Sequence, residues 1–329
     1  MPDIVTHFCF AGKVFERLPE NLREKTDRAV YDHTAAGPDV WFSYRFYNGR
    51  KKQNKHLRGG RMHREKTGEF LLALAERCRI AADRDVLFSY LAGFLCHYAL
   101  DKTAHPYIVY RTGQYDGTEE TRKYRGNHTL LERAIDHTFL KSWGRTLWSA
   151  PITGKILRMK KIPESIAEDL DAVYGSVYGW EDVSKDLTIC AKDQRLFYFL
   201  VQDPTGILNE IVKYADNGVS KQEYFSLSYA GRDQGSTDIL NLKKLPWRHP
   251  NDPEIRSDES FTELFERAAE EAVRLILAAK AWVSGNDSEF PEILGSDSYE
   301  TGLLWSDARN NAAKEYDPLP LKGGKKNRT

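Results

Sequence analysis

Apolar residues recur at helical spacing along most of this chain, and turn-forming residues break the pattern at definite points. Ile4, Phe8, Val14 and Leu18 form one apolar stripe that stops at Pro19, which predicts a first helix over 4–18 with His7 in its opening turns. Residues 22–34 (LREKTDRAVYDHT) read as a second, more polar helix. Gly37-Pro38 should then interrupt the helical pattern and deliver Asp39 from a turn, beside the apolar Trp41 and Phe42. The basic, Gly-containing stretch 48–61 reads as a solvated loop, and the next helix is expected to begin near Met62, with His63 in its first turn, and to run through HREKTGEFLLALAERCRIA.

The apolar run Val86 to Cys96 is too short and too interrupted to span a bilayer and reads as a buried core helix. After a charged loop from Thr112 to Arg125 comes another helix, GNHTLLERAIDHTFLKSWG, with Asn127 as its expected N-cap. Further helices are predicted near 163–178, 186–201, 206–216 and 258–283, the last strongly amphipathic, around a long loop at 217–257. With no internal repeat and no series of strands, the expected fold class is all-α. One domain is expected over 1–285, its informative part in 1–140 and accessory helices in 141–285, with 286–329 as a C-terminal extension ending in a frayed, partly disordered tail.

Composition narrows the class further. The chain has 329 residues, 41% of them hydrophobic and 12% aromatic, enough for a substantial core. Lys plus Arg and Asp plus Glu each number 48, so there is no large positive field of the kind that favours general nucleic-acid binding. Four widely spaced cysteines without a C-x-x-C pair indicate neither a disulfide framework nor a thiolate zinc site. Together with an N-terminus lacking the pattern of a signal peptide, they lead to the expectation of a cytoplasmic protein with reduced thiols.

Chemistry concentrates in GFLCHYALDKTAHPYIVY, residues 93–110. Its His97 and Asp101 lie four apart on one helical face, with His105 one turn further, in an otherwise apolar segment. Burying such groups is costly unless something pairs with them, and a bound cation would do so. A lone His–Asp pair of this kind is more often a hydrogen-bonded core pair. The arrangement repeats, however: His128, Glu132 and Asp136 share a face of a later helix, and His7, Asp39 and His63 add further potential ligands. Imidazole and carboxylate without thiolate suit zinc or a comparable divalent ion at a catalytic site.

The ordered set MPDIVTHF, GPD, MHREKTGEF, GFLCHYALDKTAHPY and NHTLLERAID resembles the bacterial zinc-dependent phospholipase C family, which shares an all-helical fold and a trinuclear zinc site with P1/S1 nucleases. The motif-bearing part covers about the first 140 residues. The resemblance implies a compact multi-helix domain with the metals in a cleft between helices. It implies one Zn2+ on His63, His97 and Asp101, a second on His105, His128 and Glu132, and a third on His7, on Asp101 as a bridge, and on the N-terminal amine and carbonyl. Secreted members begin with a tryptophan whose amine binds zinc. Here the chain begins Met-Pro, so Pro2, five residues before His7, would supply that amine if Met1 were removed.

Asp39 matches the acid that acts as general base or positions the attacking water, and Asp136 is expected to orient a ligand histidine from behind. The function expected from all this is zinc-dependent hydrolysis of phosphoric esters with two to three ions, on a phospholipid or small phosphodiester, with transient approach to a membrane surface. A P1/S1-like nuclease or nucleotidase is the alternative on the same metals, with Trp41, Phe42 and Tyr44 as base-stacking residues and nucleic acid disfavoured by the neutral charge. A third reading is a non-enzymatic helical protein stabilised by zinc, for which every metal position would be closed by protein ligands. No protein partner is expected.

Overall fold

The computed structural model describes residues 3–48, 53–142, 144, 146, 152–203, 205–208, 210–211, 236–286, 289–312 and 314–321. Twelve α-helices occur among them: α1 (Ile4–Arg17), α2 (Glu20–Lys25), α3 (Arg28–Thr34), α4 (Leu57–Arg64), α5 (Thr67–Ile80), α6 (Arg84–Thr112), α7 (Asn127–Ser142), α8 (Ile152–Lys155), α9 (Ala167–Tyr178), α10 (Val183–Val201), α11 (Phe261–Val283) and α12 (Phe290–Leu294). A 3-10 turn, Gly37–Ser43, links α3 to the segment before α4. The protein is mostly helical, as expected.

The apolar run at Val86 belongs to a helix much longer than itself. With 29 residues, α6 spans about 43 Å at 1.5 Å per residue. It is buried almost all round from Leu87 to Val109, which explains why it has no single apolar stripe: α1, α3, α5, α7 and α11 pack against it on different sides. By contrast, α11 is a one-sided helix. A capping box between Ser260 and Glu263 starts it, and Phe261, Leu264, Phe265, Ala268, Ala272, Leu275, Ile276 and Ala279 line its buried face.

Pro106 sits inside α6 and brings no N–H to the carbonyl of Lys102. Gly302 closes over that carbonyl, so tightly that a Cβ at Gly302 would lie 2.3 Å from Lys102 O. The segment after residue 285, set apart in sequence as an extension, is laid along α6 and contributes Phe290, Leu294, Tyr299 and Leu321 to the main hydrophobic core. Tyr98 Oη donates to Leu294 O at 2.8 Å, and the last carbonyls of α6, those of Tyr110 and Arg111, accept from Asp317 N and Leu319 N at 3.0 and 2.9 Å. Of the frayed tail expected over 319–329, Leu319 and Leu321 are instead packed on the core, and residues 322–329 lie outside the described residues.

Three sequence expectations are corrected. The helix expected to begin near Met62 begins at Leu57 and ends at Arg64, and a left-handed Lys66 (φ 53°) separates it from α5. Gly59 and Gly60 argue against a helix on propensity, but Gly59 packs where a Cβ would lie 3.0 Å from both Pro38 O and the Phe42 ring, so packing overrides propensity. The stretch 22–34 is likewise two short helices rather than one. Finally, part of the expected loop 217–257 is an antiparallel hairpin, β1 (Trp247–His249) with β2 (Asp252–Ser257); β1 is only three residues long and β2 does not alternate, so neither gives a strand signal in the sequence. The helix expected at 206–216 falls largely outside the described residues.

All four cysteines are buried free thiols, and burial raises the Cys96 pKa to about 12. No helix among the described residues is long and apolar enough to cross a membrane.

His33, near the end of α3, is buried, and burial followed by the charge of Arg195 lowers its pKa to about 4. The unfolded chain binds a proton at this residue below about pH 6.5, whereas the folded chain does so only below about pH 4, so stability is lost as pH falls through that window. His33→Phe should remove about 3 kcal/mol of the acid-side loss. Urea unfolding of both proteins at several pH values between 7 and 4 checks this; parallel stability curves would contradict it.

Candidate metal centre

Five elements converge on the middle of α6. His7 comes from α1, Asp39 from the 3-10 turn, His63 from the last turn of α4, His97, Asp101 and His105 from α6, and His128 and Glu132 from α7. The structure therefore brings together all eight side chains singled out as candidate ligands or acids. Pro2, the expected N-terminal ligand, lies outside the described residues.

Local structure explains how each is held. The Asp3 side chain caps α1 by accepting from Ile4 N at 2.8 Å. Asp136, fully buried on α7, accepts from Val5 N at 2.9 Å, Thr6 N at 2.8 Å and Thr6 Oγ1 at 2.5 Å. Beside the expectation that Asp136 orients a ligand histidine, these bonds show it holding the N-terminal amides of α1 and so fixing where His7 enters. Gly37 brings the turn of Asp39 against α6. Its φ of 51° favours glycine, and a Cβ there would lie 2.3 Å from the His97 ring.

Three of the imidazoles have their Nδ1 turned to a backbone carbonyl: His63 to Gly59 O at 2.7 Å, His97 to Ala35 O at 3.2 Å, and His105 to Glu300 O at 2.7 Å. A carbonyl only accepts, so each Nδ1 carries the proton and each Nε2 presents a lone pair to the interior. Those lone pairs point at carboxylates and at one another. His97 Nε2 lies 3.1 Å from Asp101 Oδ2, His7 Nε2 lies 3.2 Å from Asp101 Oδ1, and His63 Nε2 lies 3.2 Å from Asp39 Oδ1 and 3.8 Å from Asp101 Oδ2. In the neighbouring set, His105 Nε2 is 3.3 Å from His128 Nε2, which is 2.8 Å from Glu132 Oε1.

These residues fit a cation. His7 Nε2, His63 Nε2, His97 Nε2, Asp39 Oδ1 and both oxygens of Asp101 are buried and make no hydrogen bond of proper geometry in spite of their closeness. Leaving a buried polar group unsatisfied costs about 1–3 kcal/mol each, so such a concentration needs a common partner. Ligands 2.0–2.2 Å from a tetrahedral ion are about 3.3 Å apart, which is the spacing seen here. Among the described residues, three sets have donor atoms within 4.8 Å of one another: His63, His97 and Asp101; His105, His128 and Glu132; and His7, Asp39 and His97.

Electrostatics point the same way for most of the set. Burial opposes the charge on Asp101, but His97 and His7 hold its carboxyl well below the usual range. Burial, reinforced by His128, pushes the His105 pKa well down, as a neutral ligand requires. His7 and His63 are instead raised against the effect of burial, by Asp101 and Asp39 respectively, so a cation binding there displaces protons.

A cleft of about 370 Å³ opens on the site, with His63, His105, His128 and Glu132 on one side and Phe42, Val109, Tyr115 and Tyr124 among its other walls. Of the three aromatic residues considered for stacking, Trp41 and Tyr44 are core residues, Trp41 packing on Tyr174 and Trp180. Only Phe42 is open, 46% exposed and stacked on His63 with ring centres 5.8 Å apart. Sequence reasoning missed Tyr299, whose ring meets those of His63 and His97 at 5.4 and 5.5 Å, and Glu300, which acts through its backbone carbonyl. A carbonyl contribution leaves no mark in a sequence.

A family model described as zinc dependent phospholipase C matches residues 6–182, just over half of the chain and the whole of the candidate ligand set from His7 to Glu132. No curated protein and no solved structure matches the chain.

If Asp136 anchors α1, its replacement should be costly in a graded way. Asp136→Ala leaves buried donors on Val5 and Thr6 without an acceptor and should destabilise the fold by about 3 kcal/mol or more, and Asp136→Asn, which keeps one acceptor oxygen, by about half as much. Equilibrium unfolding in urea gives both values; equal or negligible losses would contradict the anchoring role.

Proposed function

Because the chain belongs to the zinc-dependent phospholipase C family, we propose that it hydrolyses a phosphodiester of phospholipid type at the cleft above α6, cleaving the bond between the glycerol oxygen and phosphorus. The observation that supports this most directly is the convergence of three histidine Nε2 atoms, from three separate elements, on the buried carboxylate of Asp101. Two ligand sets, His63–His97–Asp101 and His105–His128–Glu132, would hold two ions beside the same cleft, and His7, whose Nε2 is 3.2 Å from Asp101 Oδ1, would contribute to a third. When bound, zinc supplies Lewis-acid chemistry, acidifying a water and drawing charge from phosphate oxygens.

The remaining steps belong to the chain. Asp101 sits among the Nε2 atoms of His7, His63 and His97 at the centre of α6, and the carbonyls of Gly59, Ala35 and Glu300 keep the Nε2 atoms of His63, His97 and His105 aimed inward. Asp39, 19% exposed beside His63, is placed to hold the attacking water and take its proton as oxygen joins phosphorus. The bond to glycerol then breaks, and the leaving alkoxide takes up a proton, giving diacylglycerol and a phosphomonoester. The nuclease alternative retains one observation in its favour: Phe42 offers an open aromatic face at the cleft, on which a base would stack.

Metal content and diester hydrolysis in wild type, Asp101→Asn and Asp39→Asn test the reading together. Wild type should carry two to three zinc ions per chain, Asp101→Asn should lose metal, and Asp39→Asn should keep it while turnover falls by about 10²-fold or more. A short-chain phospholipid should be cleaved in preference to a dinucleotide. Absence of stoichiometric metal under non-chelating conditions would defeat the proposal, and a preference for the dinucleotide would favour the nuclease.

A further inference from the structure

The cleft also contains a cation that the matched family region does not include. Lys314 reaches it from the C-terminal segment, which is tied down just after it by Glu315 N donating to Pro250 O at 3.0 Å and Asp317 N donating to Tyr110 O at 3.0 Å. Its ammonium donates to Gln114 Oε1, itself on the cleft wall. Among the described residues lining this cleft, Lys314 is the one Lys or Arg. Glu300, the lining carboxylate outside the ligand set, faces Arg64 at 3.6 Å.

A quaternary ammonium head group is held by open aromatic faces. Phe42, stacked on His63, keeps an open face, but the two tyrosines of the cleft are already engaged by the chain. Tyr124 lies against Gly113, where a Cβ would come within 2.4 Å of the ring, and carries Lys123 Nζ at 5.0 Å from its centre. Tyr115 carries the Arg125 guanidinium at 5.6 Å. Burial, with Arg64 acting in the same direction and Glu300 against it, lowers the Lys314 pKa, which marks an ammonium short of hydration and receptive to an anion.

We infer that Lys314 is a specificity-determining residue that selects substrates whose head group bears a second anion, a phosphate or carboxylate, over those with a quaternary ammonium. The inference rests on the phosphodiester reading above. Lys314 attracts the one class and offers the other nothing, so discrimination comes chiefly from the added interaction with the anionic substrate.

Dihexanoyl phosphatidylinositol 4-phosphate and dihexanoyl phosphatidylcholine, kept monomeric so that surface charge plays no part, test it on the zinc-loaded protein. Wild type should favour the anionic substrate in kcat/KM by about tenfold or more, and Lys314→Gln should lose that factor on the anionic substrate while staying within about twofold on the choline ester. Lys314→Arg should retain the preference and Lys314→Glu reverse it, provided that thermal unfolding shows each variant folded. Calorimetric binding of inositol 1,4-bisphosphate against phosphocholine gives a readout independent of turnover. Lipid cleavage with no dependence on Lys314 would overturn the inference and leave the phospholipase reading standing; Lys314-dependent anion binding without lipid cleavage would do the reverse. Equal effects of Lys314→Gln on both ligands in both assays would also overturn it.

Discussion

The rest of this structure depends on one buried charge. Asp101 sits at the centre of a helix enclosed on every side, with no exposure to water and its acid form disfavoured by the imidazoles around it. An ionised carboxylate in such a place is tolerable only if opposite charge is supplied locally and held in position. The fold supplies holders in abundance: α1, α4 and α6 each aim a ring at it, and backbone carbonyls fix two of those rings from behind. The packing of helices around α6 and the geometry of the candidate site are therefore one arrangement seen at two scales.

That identity explains what could be read in advance. The two i,i+4 pairs, His97–Asp101 and His128–Glu132, were legible because helical periodicity alone places their members together, and both pairs are in contact in the fold. His7, Asp39 and His63 were legible only as residues of the right type in a familiar order, since nothing in their spacing says which way their elements turn. Gly37 is the exception among connecting residues: a Gly-Pro pair announces a turn, and the structure uses it to lay Asp39 against His97 without a Cβ in the way.

What could not be read arises from contacts between distant segments. Gly59 looked like loop because glycine is a poor helix former, yet its lack of a side chain is what lets α4 approach Pro38 and Phe42. Asp136 repeated the spacing of a ligand and proved to be an anchor for the amides of α1, a distinction that rests on which helix end happens to face it. The C-terminal segment was invisible as part of the site because it acts there through a carbonyl, a tyrosine ring and one lysine.

The placement of that last segment bears on how the protein comes into being. His105 and the carbonyl that orients it are 195 residues apart, and His63 meets Tyr299 across a still longer stretch of chain. A nascent polypeptide that has emerged as far as α7 already holds every described candidate ligand, yet lacks the strap that aims His105 and shields His63. Closing so long a loop is slow compared with forming the helices themselves. The strap thus joins a site whose side chains are already in place, and a cation captured earlier would be held by a looser, more exchangeable set of side chains than the finished protein presents.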